Sequence, residues 1–102
     1  MGTSISGDIK LPSVAGLLGT SATDTATALC TTTLNNNIIM LYNAGSNPVV
    51  LGVSNGVTFA GAYSFLKLLP GETLIFDRNE FQGIIYGICD TGLSSMVRGL
   101  IT

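Results

Sequence analysis

Asn43, Gly45, Ser46, Asn47 and Pro48 stand between two apolar runs, Ile38-Ile39-Met40-Leu41-Tyr42 and Val49-Val50-Leu51. An apolar run that is broken by such a cluster and resumes at once is the pattern of two β-strands joined by a tight turn. Pro48 fixes its own φ and biases Asn47 toward extended backbone, so the chain leaves the turn as a strand. Some twenty residues on, Leu69-Pro70-Gly71-Glu72 repeats the device, with Pro70-Gly71 at the central positions of a type II turn. Both are expected to be hairpins, residues 49–53 pairing with 37–42 and residues 73–77 with 65–69.

The rest of the chain is punctuated in the same way. Residues 26–33, 83–89 and 96–101 read as strands, and 57–59 as a short one. Asn55-Gly56 favours the positive φ angles of a primed turn, and Asp90-Thr91-Gly92 marks another turn. Residues 37–42 are apolar on both faces, which fits a strand buried between two sheets or between a sheet and a partner. Seven or eight short strands with turn signals every 8 to 12 residues give an all-β fold, a small antiparallel β-sandwich of jelly-roll-like form.

The sandwich is expected over residues 26–102, with residues 1–25 as an extended N-terminal arm. The arm is rich in Gly, Ser, Thr and Ala, and carries apolar spots at Ile5, Ile9, Leu11, Val14, Leu17 and Leu18. It sustains no period of 2 or 3.6. Residues 12–18 suit one or two helical turns, with Pro12 in the first position and Gly19 as the stop. Pro12 and the nearby Asp8 argue against a signal-peptide core here. An arm of this kind is either frayed or tied down by docking on something else.

Charge is scarce. Only 10% of the 102 residues are charged, and none lies between Thr25 and Leu66. A typical globular domain has about a quarter. Much of the exterior must therefore be uncharged or apolar, as surfaces covered by another chain are. The bland alternative is a Thr/Asn-rich β-surface that stays soluble unaided; the covered reading is preferred. Net charge is −2, and Lys10, Lys67, Arg78 and Arg98 are scattered, so nucleic-acid binding is not expected. No run is long enough for a membrane-spanning helix.

The inventory for chemistry is thin. The chain has no histidine, which removes Ser-His-Asp and Cys-His nucleophile arrangements and the commonest general base. Cys30 and Cys89 cannot by themselves make a zinc site. They read as reduced, buried thiols, with a disulfide as the alternative. Asp77 and Glu80 are the closest carboxylate pair in the sandwich. A glycosidase-like pair or weak Ca²⁺ ligands is the chemical reading; solvated charges around a loop is the preferred one. No phosphate-binding glycine loop is present. No enzyme activity, metal or cofactor is expected.

Taken together, Asn43-Ala44-Gly45-Ser46-Asn47-Pro48-Val49, Leu68-Leu69-Pro70-Gly71-Glu72, Ile84-Ile85-Tyr86-Gly87-Ile88 and Val97-Arg98 carry a resemblance. From about Cys30 to the C-terminus, some two thirds of the chain, the sequence resembles a small β-sandwich of tailed-bacteriophage structural proteins. It looks like the head decoration (cement) or minor capsid proteins and the related fibre-base domains. The resemblance implies a structural virion protein, made in the host cytoplasm, that binds the outside of the phage head and stabilises contacts between major capsid protein subunits. The implied partners are the major capsid protein and copies of the chain itself, as dimer or trimer, with neither nucleic acid nor membrane. The residues expected at the interface are Ile5, Ile9, Leu11, Val14, Leu17 and Leu18 of the arm, with Tyr63 and Phe65. Two alternatives stand beside this reading: a tail, connector or fibre-base domain, and a carbohydrate-binding module using an exposed tyrosine such as Tyr63.

Overall fold

The computed structural model describes residues 17–32, 38–77 and 83–101. Eight strands run through them: β1 (Leu17–Ala22), β2 (Thr27–Thr32), β3 (Ile38–Asn43), β4 (Val49–Gly52), β5 (Ser64–Leu68), β6 (Thr73–Asp77), β7 (Gly83–Ile88) and β8 (Ser95–Ile101). They form two four-stranded antiparallel sheets, ordered β1-β8-β3-β6 and β2-β7-β4-β5. Every pair of consecutive strands but β4 and β5 is split between the two sheets, the jelly-roll arrangement. The all-β sandwich is thus as the sequence indicates.

The core follows from strand alternation. In β3, Ile39 and Leu41 point inward and are fully buried, as are Val49 and Leu51 in β4 and Ile85 in β7. Leu29, Cys30, Leu68, Phe76, Cys89 and Val97 complete the layer between the sheets, and Leu18, Leu74 and Ile101 pack at its margin. A second, smaller cluster lies on the outer face of the β2-β7-β4-β5 sheet. There the β4–β5 connection folds back, so that Val57 and Phe59 cover Val50, Ile88 and Tyr86. Lys67 sets its ammonium 4.9 Å from the centre of the Phe59 ring, a cation–π contact that seals the roof's edge.

Four expectations are corrected. First, β3 and β4 are not a hairpin: β3 pairs with β6 and β8, whereas β4 pairs with β5 and β7. Residues 44–48 carry the chain from one sheet to the other, and residues 69–72 do the same between β5 and β6. The type II turn itself is present: Glu72 N–H donates to Leu69 O at 2.9 Å, and Gly71 has φ +83°. Only a residue without Cβ adopts that angle without strain. Second, β1 falls within the stretch read as an arm, so the sandwich begins no later than Leu17. Residues 17 and 18 are strand rather than helical turn, held by a six-residue register with β8. Third, residues 57–59 are not a strand, and neither Asn55 nor Gly56 has positive φ. The positive φ in that connection falls on Gly61 and on Tyr63, at +56°. Fourth, Leu18 packs against the core and so is not a free contact residue. Ile5, Ile9, Leu11 and Val14, together with Arg78 and Glu80, lie outside the described residues.

Candidate interaction surface

The two sheets treat their outer faces differently. The β2-β7-β4-β5 sheet is roofed in part by its own connection, over Val50, Tyr86 and Ile88, while Ile84 of β7 stays 38% exposed. The outer face of the β1-β8-β3-β6 sheet is covered by nothing among the described residues. Register shows what that face carries. Met40 of β3 lies opposite Leu100 of β8 and Ile75 of β6, so three apolar side chains form a row across three strands. In the next row Tyr42 lies between Arg98 and Thr73. Met96 follows one step on, opposite Ser21 of β1. Ile75 is 43% exposed and Tyr42 39%, while Met40, Met96 and Leu100 are half-buried. An antiparallel sheet that faces water ordinarily alternates apolar inside with polar outside. Here both faces of β3 are apolar, and Arg98 is the one cation in the patch.

The frame behind this face is fixed by Asn43, the last residue of β3, which is fully buried. Its side-chain amide donates to Asn47 O at 2.8 Å and to Leu68 O at 2.9 Å. Its Oδ1 accepts from Gly45 N–H at 3.1 Å and from the Ser95 hydroxyl at 2.7 Å. Its backbone N–H donates to Glu72 O, and its carbonyl accepts from Gly71 N–H. One residue thus ties two of the sheet-to-sheet crossovers, residues 44–48 and 69–72, to the start of β8. Around it, Asn47 Nδ2 donates to Ser94 O at 2.8 Å, and Glu72 Oε1 accepts from Leu69 N–H at 2.7 Å. The turn residues singled out by sequence, Asn43, Gly45, Asn47, Pro70, Gly71 and Glu72, therefore come together as one latch. Ser46 and Pro48 shape the crossover beside it. Sequence reasoning gave Asn43 the role of a turn residue and missed it as a hub, because its partner Ser95 is 52 positions away.

A second exposed feature sits at the end of the β4–β5 connection. Tyr63 is 69% exposed with φ +56°, a conformation strained for a bulky side chain. Phe65 is also exposed and borders an open depression of about 330 Å³ with Val50, Phe59, Gly61, Ser64 and Lys67. Of the expected interface residues within the described chain, Tyr63 and Phe65 are thus accessible. They lie on the opposite sheet from the Met40–Ile75–Leu100 row. Leu17 opens β1 opposite Leu100.

The two thiols are inert by position. Cys30 and Cys89 are free thiols, both buried. Burial pushes the Cys30 thiol up to about 11. Burial, and then the nearby Asp24 carboxylate, raise that of Cys89. Neither is therefore a nucleophile near neutral pH. Asp24 accepts a hydrogen bond from Gly92 N–H at 2.9 Å, joining the β1–β2 and β7–β8 turns. Among the described residues no three metal-binding side chains cluster, and no helix is long and apolar enough to cross a membrane. Comparison with protein-family models, with curated proteins and with solved structures gives no match to this chain.

Proposed function

We propose that this protein is a structural adhesion module of a virion, a capsid decoration protein that seats the outer face of the β1-β8-β3-β6 sheet on the phage head. One observation carries the reading: the Met40–Ile75–Leu100 row with Tyr42 is a continuous apolar row across three strands without cover among the described residues, whereas the centre of the opposite sheet is roofed by its own chain. Such a patch on a domain so poor in charge is what a partner's surface would bury. Jelly rolls are recurrent in viral shells, an analogy of fold that agrees with this role. The contribution would be mechanical. Each copy adds modest contacts, and repetition around a closed shell turns them into collective resistance.

The test is addition of the purified protein to empty shells of the virus that encodes it, read by co-sedimentation and electron microscopy. Binding should be saturable and should fall at least tenfold in Met40→Glu or Ile75→Glu, with the fold unchanged by circular dichroism. The arm is tested separately by deleting residues 2–16, which leaves β1 intact. Failure of the wild-type protein to bind shells overturns the proposal.

The exposure of Tyr63 favours a second reading, a carbohydrate-binding module that stacks a sugar on that ring. It requires glycan binding that is lost in Tyr63→Ala. A flat response on a glycan array removes it.

A further inference from the structure

The four outermost strands differ in how their free edges are defended. Natural sheets blunt an edge with a charge, a proline or a bulge, because an open row of N–H and C=O groups templates another strand. The β5 edge carries Lys67 near its end and a register shift against β4 between Leu51 and Gly52. The β2 edge is irregular, with a register shift between Ala28 and Cys30. The β6 edge is short, is entered from Pro70-Gly71-Glu72 and ends on Asp77. None of these devices occurs in β1. Leu17-Leu18-Gly19-Thr20-Ser21-Ala22 has no charge and no proline, and it keeps an unbroken six-residue register with β8. Among the described residues no strand pairs with its other side.

We infer that β1 is a pairing edge, and that its partner is the β1 strand of a second copy, added antiparallel about a two-fold axis. The occupant follows from the strand itself. Identical strands pair antiparallel around a two-fold with the same groups on both sides, which is the self-complementary case. With no charge on β1, no like charges meet across the axis. The axis stands perpendicular to the sheet and keeps each copy's outer face outward. Residues of like parity must then oppose each other. Leu18, Thr20 and Ala22 belong to the inner face, Gly19 and Ser21 to the outer, so the axis falls at Gly19 or Thr20 and not between them.

The consequence is an eight-stranded sheet, β6-β3-β8-β1 continued by its symmetry mate, with both Met40–Ile75–Leu100 rows facing the same way. A four-stranded face of six-residue strands measures roughly 400 Å² from a spacing of about 4.8 Å and a rise of about 3.3 Å. That is half of the roughly 800 Å² per partner of a stable interface, and the dimer doubles it. The pairing itself is independent of the decoration role.

Sedimentation equilibrium of the full chain across about 5 to 200 μM tests it. The expected mass is twice the 10.5 kDa of one chain. Two lysine variants supply the missing guard. Gly19→Lys places its side chain where an added Cβ meets nothing within 4 Å, and Ser21→Lys extends from an exposed position. Each should shift the dissociation constant at least tenfold toward monomer with unchanged circular dichroism, while Thr73→Lys on β6 should leave the dimer intact. Oxidised Gly19→Cys or Thr20→Cys should run at double mass on a non-reducing gel, because residues on the axis face their own copies. A wild-type monomer throughout, a trimer, a dimer indifferent to both lysines, or failure of both cysteines to cross-link overturns the inference. Shell binding is read in a different assay, so a monomeric protein that binds shells overturns the pairing alone.

Discussion

Ser95 donates its hydroxyl to Asn43 Oδ1 at 2.7 Å with both residues buried, and so closes the start of β8 onto the end of β3 across 52 positions of sequence. Asn43 suits that place because an amide both donates and accepts. It donates to two carbonyls and accepts from one hydroxyl and one N–H. Replacing it with alanine leaves Leu68 O, Asn47 O and Gly45 N–H short of a partner. At about 1–3 kcal/mol for a buried orphan, Asn43→Ala should destabilise the domain by roughly 3–5 kcal/mol. Asn43→Asp should be no milder at pH 7, since it loses both donations and turns a carboxylate toward two carbonyls. Urea denaturation at constant pH measures both. A loss under 1 kcal/mol would remove Asn43 as the hub.

Gly45 is required for closeness rather than for φ. A Cβ there would collide with the Ser95 hydroxyl and stand 2.8 Å from the Met96 N. Backbone cannot yield cheaply at such a distance. Gly45→Ala should cost about 2–4 kcal/mol, in the range of overpacked cores. In a Ser95→Ala background the penalty should shrink by only part of that, because the contact with Met96 remains.

The two thiols give a pH signature. Cys30 holds its proton in the folded chain up to about 11 against an ordinary value of 9.0. Between those values the unfolded chain has lost a proton that the folded chain keeps, so stability falls as pH rises. The contribution is complete below about pH 9 and lost through pH 11. Cys30→Ala should flatten this descent relative to wild type in urea titrations at pH 8, 9.5 and 11. In the native protein at pH 8, Ellman's reagent should find almost no thiol, and two per chain once urea is added without reductant.

Strand positions were largely legible in the sequence, and their connections were not. Residues 73–77 stand in the structure as they read, and β2, β3, β4, β5, β7 and β8 lie within two residues of expectation. Turn chemistry at Asn47-Pro48 and Pro70-Gly71 reports that the chain bends. It carries nothing about which sheet receives the next strand, and both bends proved to be crossovers. β1 was missed because Gly19 and Ser21 lack β-propensity and Leu17 to Ala22 shows no apolar/polar alternation; its register with β8 supplies what local preference does not. The positive φ of Tyr63 has no local sign either, since a bulky residue rarely takes that angle and Asn55-Gly56 is the expected place for it. Of the proposed contact surface, the two-sided apolar character of residues 38–42 pointed to a strand covered by a second sheet or by a partner. That Met40, Ile75 and Leu100 share one row could be known only from the pairing.

Lys67 and Phe59 offer a check on the roof over the second sheet. Lys67→Ala removes a cation from 4.9 Å above the ring and exposes the stem's apolar cover. The cost should be about 0.5–1 kcal/mol. Amide exchange over residues 53–63 should quicken, while that of β3 and β8 stays unchanged.

Methionine footprinting tests the proposed contact face most directly, because Met40 and Met96 sit on it. Brief peroxide treatment followed by peptide mass spectrometry would compare the free protein with the protein on assembled shells. The account predicts sulfoxide at Met40 and Met96 in the free protein and at least fivefold protection of both on the particle. Equal oxidation of Met40 in the two states would contradict it.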